Sequence, residues 1–135
     1  MDISQLVNSE DLFELHLTAP ESEERLGIRF RIRSAESEAV KRISRQHADK
    51  LLASRKQKLT SSKVEDELLD KAAAAIESWD WGDHSWKGEK PECTFKLARE
   101  VVQEAPWIYE QVRQASDDRA NFTKSFPKDS AKPSA

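Results

Sequence analysis

The chain has 135 residues, of which 37% are hydrophobic and 35% charged, and a formal net charge of -3 at pH 7. This length and composition predict one domain with a thin core, and the single cysteine, Cys93, excludes an internal disulfide. Because no apolar run is long enough to span a bilayer and no signal-peptide pattern opens the chain, we expect a protein of the cytoplasm.

Two runs of alternating apolar and polar residues predict a β-hairpin near the N-terminus. After an N-terminal arm, residues 1–11, the alternation covers residues 12–18 and again residues 28–33. We expect a hairpin over residues 12–33 with one apolar face and one charged face. A lone hairpin is marginal in water, so it must pack on helices or extend a neighbour's sheet. The charged face carries three arginines that we assign to water or to a partner: Arg29, Arg31 and Arg33.

Helical periodicity dominates the rest of the chain. Ser34 is the candidate N-cap of the first helix, and Ser61 or Ser62 of the second. Thr94 has the same role in the third helix, whereas Pro106 opens the fourth because proline is tolerated at the first helical position. The four helices are predicted at about residues 35–58, 63–78, 95–105 and 106–120.

The predicted fold class is mainly α, of the α+β type, with a small N-terminal β-hairpin packed on a bundle of about four helices. One domain covers residues 12–120. Residues 121–135 are polar and rich in lysine, serine and proline, which predicts a flexible C-terminal tail. The predicted core residues are Phe30, Leu68, Ile76, Trp79, Phe95, Val101, Trp107 and Val112.

A segment rich in tryptophan separates the second and third predicted helices. Residues 72–95 hold three of the four tryptophans, two of the three glycines and the cysteine. Trp79 continues the apolar stripe of the preceding helix, which predicts that it packs in the core. Trp81 and Trp86 are flanked by charged residues, so we predict that they bind a partner.

The sequence carries no recognisable catalytic or cofactor motif. The histidines His16, His47 and His84 lie far apart, without the spacing of metal ligands, and Cys93 has no neighbouring histidine. The glycines form no phosphate-binding loop, and the acidic residues lack the spacing of a calcium loop. We therefore predict that the protein is not an enzyme and holds neither cofactor nor metal.

Basic residues concentrate in the first predicted helix. Residues 34–63 carry 8 basic and 3 acidic side chains, although the whole chain is acidic. Residues 41–58 would meet phosphates along one side, but aromatic residues do not interleave with the basic ones. A face that meets water or an acidic protein surface is therefore favoured over nucleic acid, with Arg42 and Arg45 as candidate partner-binding residues.

Several small features follow one another in a recognisable order. A proline turn, a Leu-Gly pair and an alternating strand come first, followed by a basic helix that starts with serine and glutamate. An alanine-rich helix ending in tryptophan, a glycine-bearing turn and a Pro-Trp helix complete the series. The residues are Pro20, Leu26-Gly27-Ile28, Ala72 to Trp79, Cys93-Thr94-Phe95, Pro106-Trp107 and Asn121-Phe122. This order, over roughly residues 10–122, resembles the tail assembly chaperones of long-tailed (siphovirus-like) bacteriophages and prophages. The chain departs from the family in a longer turn that adds Trp81 and Trp86.

The resemblance implies a non-enzymatic protein that binds the tape-measure protein and keeps its apolar helices soluble while tail-tube subunits polymerise around it. It further implies contact with the major tail tube protein, self-association, and residence in the host bacterial cytoplasm but not in the mature virion. No membrane contact is expected. Two other classes stay open: a small DNA-associated or regulatory protein that uses the basic helix, and a structural tail or head-completion protein.

Overall fold

The computed structural model describes residues 2–54 and 58–123, which form an α+β fold with a three-stranded antiparallel sheet and four helices. Within this part of the chain, no helix has the length and apolar character needed to cross a membrane. Short 3-10 turns lie near both ends, at Ile3–Gln5 and Arg119–Phe122. The strands and helices are β1 (Leu12–Thr18), β2 (Arg25–Arg33), α1 (Glu38–Ala53), α2 (Ser61–Ala75), β3 (Ile76–Asp80), α3 (Phe95–Glu104) and α4 (Pro106–Asp117).

The predicted hairpin is confirmed, and it is extended by a third strand that the sequence did not suggest. β1 and β2 are antiparallel with Leu15 opposite Phe30, and β3 adds to the other side of β2 with Trp79 opposite Phe30. The prediction that the second helix runs to residue 78 is therefore wrong. The backbone becomes extended at Ile76, because pairing with β2 outweighs the helical propensity of the preceding alanines.

The predicted starts of the first two helices are shifted in the structure. Ser37, not Ser34, precedes α1, while the Ser34 hydroxyl accepts a 3.0 Å hydrogen bond from the Glu36 backbone N–H in the preceding turn. Thr60, not Ser61 or Ser62, caps α2, since its hydroxyl accepts from the Lys63 backbone N–H at 3.2 Å. The sequence therefore located both helix starts to within a few residues, but it did not identify which residue immediately precedes each helix.

The predicted starts of the last two helices are confirmed. The Thr94 hydroxyl accepts from the Leu97 backbone N–H at 3.2 Å, and Pro106 occupies the first turn of α4. The predicted ends of α1 at residue 58 and of α4 at residue 120 are too late, because the chain is extended at Ser54 and at Asp118. Residues 55–57 of the predicted first helix lie outside the described residues.

The core lies between the helices and one face of the sheet. Of the predicted core residues, Phe30, Ile76, Val101 and Val112 are at most 4% exposed, which confirms them. Trp79 and Trp107 are only partly buried and pack against this core. Leu68 and Phe95 are 43% and 48% exposed, so their core assignment is wrong. Helical spacing reveals an apolar face, but another element must cover that face to bury it.

The two ends of the described chain meet. Val7 forms an isolated antiparallel bridge with Thr123, and the Asn8 backbone N–H donates to the Phe122 carbonyl at 3.0 Å. Phe122 is 2% exposed and packs edge-on against Phe13. The N-terminal arm and the first residues of the predicted tail therefore belong to the folded body. Residues 124–135, the rest of the predicted tail, lie outside the described part of the chain.

Candidate partner-binding groove

The predicted partner-binding residue Trp81 is instead a core residue. Its side chain is 5% exposed, and its ring centroid lies 5.5 Å from Trp79, 5.6 Å from Phe30 and 6.0 Å from Trp86. We call these four aromatic residues the tryptophan cluster. The prediction that Trp81 binds a partner is therefore wrong. Trp81 directly follows β3, and its ring packs against Phe30 of the sheet despite the charged neighbours of Trp81 in the sequence.

Directly after Trp81, the backbone passes close to β2 at the edge of the cluster. Gly82 follows Trp81 with a φ of +61°, and a Cβ at this position would lie 2.6 Å from the Gly27 carbonyl oxygen of β2. The preceding Asp80 carboxylate accepts from the Gly82 backbone N–H and pairs with Arg29, and these two contacts lower the pKa of Asp80. Only glycine fits this position without displacing the chain.

Trp86, the second tryptophan predicted to bind a partner, is half-buried and contacts other residues of its own chain. Its indole N–H donates to Glu100 at 3.4 Å, and the Lys87 ammonium lies 5.9 Å from its ring centroid while pairing with Glu104 at 2.9 Å. The Trp79 indole N–H donates to the Pro91 carbonyl at 2.8 Å. In the described residues, the buried Trp81 N–H has no partner. The cluster is therefore mainly a structural element.

The five candidate arginines do not form one site. Arg29 and Arg31 are exposed on β2, whereas Arg33 is half-buried and donates to the Ala74 carbonyl at 2.8 Å. Arg42 and Arg45 are exposed on α1, which packs on α2, and Arg45 pairs with Glu38. The structure thus divides the positive charge between the sheet and a helix.

A partly exposed apolar surface lies elsewhere, between α2, α3 and α4. Here a groove of about 520 Å³ has Val64 and Leu68 along one wall, each 43% exposed. The buried residues of α2 are confined to its second half, Leu69 to Ala75, so the preceding apolar side chains Val64 and Leu68 are only partly covered by the other described elements. We call this surface the α2 groove. Its lining residues are Ser61, Val64, Glu65, Leu68, Leu69, Val102, Gln103, Pro106 and Tyr109.

Charged residues accompany the apolar lining of the α2 groove. Glu65 lines it beside Val64 and Leu68, and a smaller pocket of about 60 Å³, which shares Leu68 and Tyr109, continues to Lys71 and Arg113. Arg113 pairs with two acidic residues of its own helix. Burial raises the pKa of the Tyr109 phenol above its ordinary value. An apolar floor with charged neighbours suits an amphipathic helix.

A partly buried polar network holds α2 in place. The Asp70 carboxylate lies 2.8 Å from His47 Nε2 of α1 and 2.7 Å from Arg99 Nε of α3, and Arg99 also reaches Asp66 at 3.2 Å. Arg99 further donates to Gln103, which lines the α2 groove, at 2.6 Å. Paired and hydrogen-bonded charges of this kind fix geometry. The groove wall is therefore anchored to both neighbouring helices.

Only part of the α2 groove is visible in the sequence. Helical spacing puts Val64 and Leu68 on one apolar stripe but predicts that Leu68 lies in the core, and nothing in the spacing connects Pro106 or Tyr109 with that stripe. The sequence does contain a signal for this groove, because α2 has more apolar positions than a thin core can cover. Among the described residues no group of three metal-ligating side chains occurs, and burial and Glu77 raise the pKa of the Cys93 thiol.

Comparison with known proteins finds no match to a family model, to a curated protein or to a solved structure.

Proposed function

We propose that the chain is a tail assembly chaperone of a long-tailed bacteriophage or prophage, which binds the tape-measure protein during tail morphogenesis and catalyses no reaction. The observation that best supports this proposal is the α2 groove, where Val64 and Leu68 remain 43% exposed in the folded chain. Amphipathic helices bind such grooves through apolar side chains at i, i+3, i+4 and i+7. A chaperone for apolar helices requires a surface of this kind.

The size of the groove suits short-lived binding. From Ser61 to Leu69 the groove wall covers about 12 Å of helix axis at a rise of about 1.5 Å per residue, which matches about two turns of a bound helix. Burying the remaining exposed area of Val64 and Leu68 would contribute only about 1 kcal/mol each. Such modest binding suits an assembly factor that must release its client when the tube closes around it.

The wider role follows from the same proposal. The chain would engage the major tail tube protein and itself, act in the host cytoplasm, and be absent from the mature virion. For the nucleic-acid alternative, the pairing of Arg45 with Glu38 leaves one basic side chain of the helix less available to phosphate. Mass spectrometry of purified virions distinguishes this proposal from the alternative of a structural tail or head-completion protein. Detection of the chain in the virions would favour the structural role.

Co-expression with the tape-measure protein of the same genome tests the proposal. The soluble fraction of that protein should rise with the wild-type chain and fall back to the level without it when Leu68→Glu places a charge in the groove. Leu52→Glu is the matched control, because Leu52 is 81% exposed on α1 and does not line the groove. Equal solubility with and without the chain, or a Leu68→Glu chain as effective as wild type, would contradict the proposal.

A further inference from the structure

We propose that Glu65 and Lys71 select which helix binds in the α2 groove: an amphipathic helix that carries a basic and an acidic side chain seven residues apart, on either side of the apolar residues that contact Leu68. This inference rests on the proposed function, because it specifies the class of helix that the chaperone would bind. The charges beside the groove, the size of an adjoining pocket and the geometry of the α-helix support it together.

Two opposite charges lie on either side of Leu68 along α2. Of the described residues that line the α2 groove, Glu65 alone is charged. Lys71 lines the smaller pocket that shares Leu68 and Tyr109 with the groove. Glu65 precedes Leu68 by three residues and Lys71 follows it by three, so the two charged positions lie about 9 Å apart along the axis of α2. A bound helix therefore meets a negative charge on one side of the exposed leucine and a positive charge on the other.

Both charges are available to a bound helix. Within residues 2–54 and 58–123, no ion pair includes Glu65 or Lys71. Other charged side chains in their neighbourhood are already paired within the chain: Asp66 with Arg99, and Arg113 with Glu110 and Asp117. An opposite charge on the partner would therefore be attracted at each of the two free positions, and a like charge would be repelled.

The small pocket beside Leu68 has room for a carboxylate. Its volume of about 60 Å³ exceeds the roughly 10 to 15 Å³ that one water molecule requires, and Lys71 and Tyr109 both border it. The ammonium of Lys71 and the hydroxyl of Tyr109 can each donate a hydrogen bond to a carboxylate oxygen. Asp117 also borders the pocket, but it is paired with Arg113. An acidic side chain of the bound helix therefore suits this side of Leu68.

Helix geometry sets the spacing of the charges in the bound helix. Residues seven apart lie on the same face of an α-helix, about 10.5 Å apart along its axis, which is close to the roughly 9 Å between Glu65 and Lys71. The positions three and four residues after the first charge share that face and would contact Val64 and Leu68. A helix with the basic residue first would bind parallel to α2, and one with the acidic residue first would bind antiparallel. The two charges therefore also fix the direction of binding.

Three synthetic helices test this selection. Each is an alanine-based peptide of about 18 residues, held helical by a covalent staple on its far face, with leucine at the two inner positions. The two charged positions carry Lys and Glu, Lys and Lys, or Glu and Glu. Nuclear magnetic resonance titration of the isotopically labelled full chain measures the dissociation constants, including weak ones. The Lys/Glu peptide should bind about fivefold more tightly than each of the other two.

Charge reversal in the protein should change the preferred peptide. Glu65→Lys leaves two positive charges beside the groove and should bind the Glu/Glu peptide most tightly, whereas Lys71→Glu should prefer the Lys/Lys peptide. Glu67→Lys is the matched control, because Glu67 lies on the same helix but lines a different pocket, and this variant should keep the wild-type order. Circular dichroism establishes that each variant is folded. If Lys71→Glu does not fold, the exposed position Glu65 decides.

A spin label at the N-terminus of the peptide measures the direction of binding. With the basic residue first, the label should broaden the signals of residues near Ser61, and with the acidic residue first, those near Ala75. Equal dissociation constants for the three peptides, no binding of any peptide at millimolar concentration, or an order that Glu65→Lys leaves unchanged would overturn the inference. The same signals broadened by both labelled peptides would also overturn it.

The selection and the proposed function fail separately. The titration contains no tape-measure protein, so equal binding of the three peptides removes the selection and leaves the chaperone proposal to the co-expression experiment with Leu68→Glu. Conversely, the peptides could bind in the expected order while the tape-measure protein is equally soluble with and without the chain. In that case the proposed function fails and the selection of helices by Glu65 and Lys71 stands.

Discussion

The tryptophan cluster and the α2 groove are two apolar regions that differ in how far their side chains are buried. The cluster contains the largest side chains of the molecule among charged neighbours, yet Trp81 is only 5% exposed. In the groove, by contrast, Val64 and Leu68 are ordinary aliphatic residues of a helix, and each remains 43% exposed. The comparison shows that the neighbouring elements, and not the residue type, decide whether an apolar side chain is core or binding surface.

The two regions differ in what covers them. The tryptophan rings pack on one another and on Phe30, and a glycine turn brings the chain back across β2. α1 and α3 are held against α2 through the Asp70 network, but the stripe with Val64 and Leu68 forms only one wall of the groove, and each of these two residues remains 43% exposed. Substitutions should therefore affect stability in the cluster and association in the groove.

The largest effect is expected from Trp81→Ala. Removing this buried ring leaves a cavity among three aromatic residues and should lower the free energy of unfolding by about 3 to 5 kcal/mol. Trp81→Phe should cost clearly less, because the lost N–H has no hydrogen-bond partner in the described residues. Chemical denaturation measures both variants. A loss below about 1 kcal/mol for Trp81→Ala would show that the cluster is not part of the core.

A smaller effect is expected from Gly82→Ala. The positive φ of +61° and the Cβ position 2.6 Å from the Gly27 carbonyl oxygen should together cost about 2 to 3 kcal/mol. Gly88→Ala is the matched control, since Gly88 also has a positive φ, +82°, but open space around its Cβ, and should cost about 1 kcal/mol. Equal losses in the two variants would show that the close approach at Gly82 is unimportant.

Acid should weaken the cluster end of the molecule. The backbone N–H of Gly82 and the guanidinium of Arg29 hold the pKa of Asp80 below its ordinary value. A carboxyl with a lowered pKa in the folded state stabilises the fold above its unfolded pKa of about 4, and this contribution is lost as the pH falls through the folded value. Denaturation midpoints should therefore decrease from pH 6 to pH 3. Arg29→Gln should reduce that slope, and an unchanged slope would contradict this role of Arg29.

The smallest effect on stability is expected from Leu68→Glu, although this variant should have the largest effect on association. Because Leu68 is 43% exposed, the change should cost less than about 1 kcal/mol. Thermal denaturation at low protein concentration measures this cost. A loss comparable to that of Trp81→Ala would show that Leu68 belongs to the core, as its helical spacing first indicated.

Local signals predicted much of the fold. The alternation of residues 12–18 and 28–33, the Thr94 cap and the start at Pro106 each depend on a few neighbouring residues, and each agrees with the structure. β3 was missed because residues 76–80 follow an alanine run of high helical propensity and form a strand only through pairing with β2. Such a partner lies more than 40 residues away in the sequence, as Arg31 opposite Ser78 shows.

The candidate site was predictable only in part, for the same reason. The apolar stripe of α2 is visible in the sequence, but whether another helix covers Leu68 depends on how α3 and α4 pack. The charged neighbours of Trp81 suggested exposure, whereas in the structure its ring is buried against Phe30, Trp79 and Trp86. The spacing of apolar residues identifies the apolar face of a helix, but only the tertiary structure shows whether another element covers that face.

The bridge between Val7 and Thr123 has a practical consequence for protein engineering. Since the two ends of the described chain already lie side by side, they can be joined by a short linker and new ends opened in the connection between β1 and β2. Circularly permuted proteins usually fold when the new ends lie at an exposed loop. Such a permuted chain would carry a reporter or affinity tag on the hairpin turn while the stripe of α2 remains unaltered.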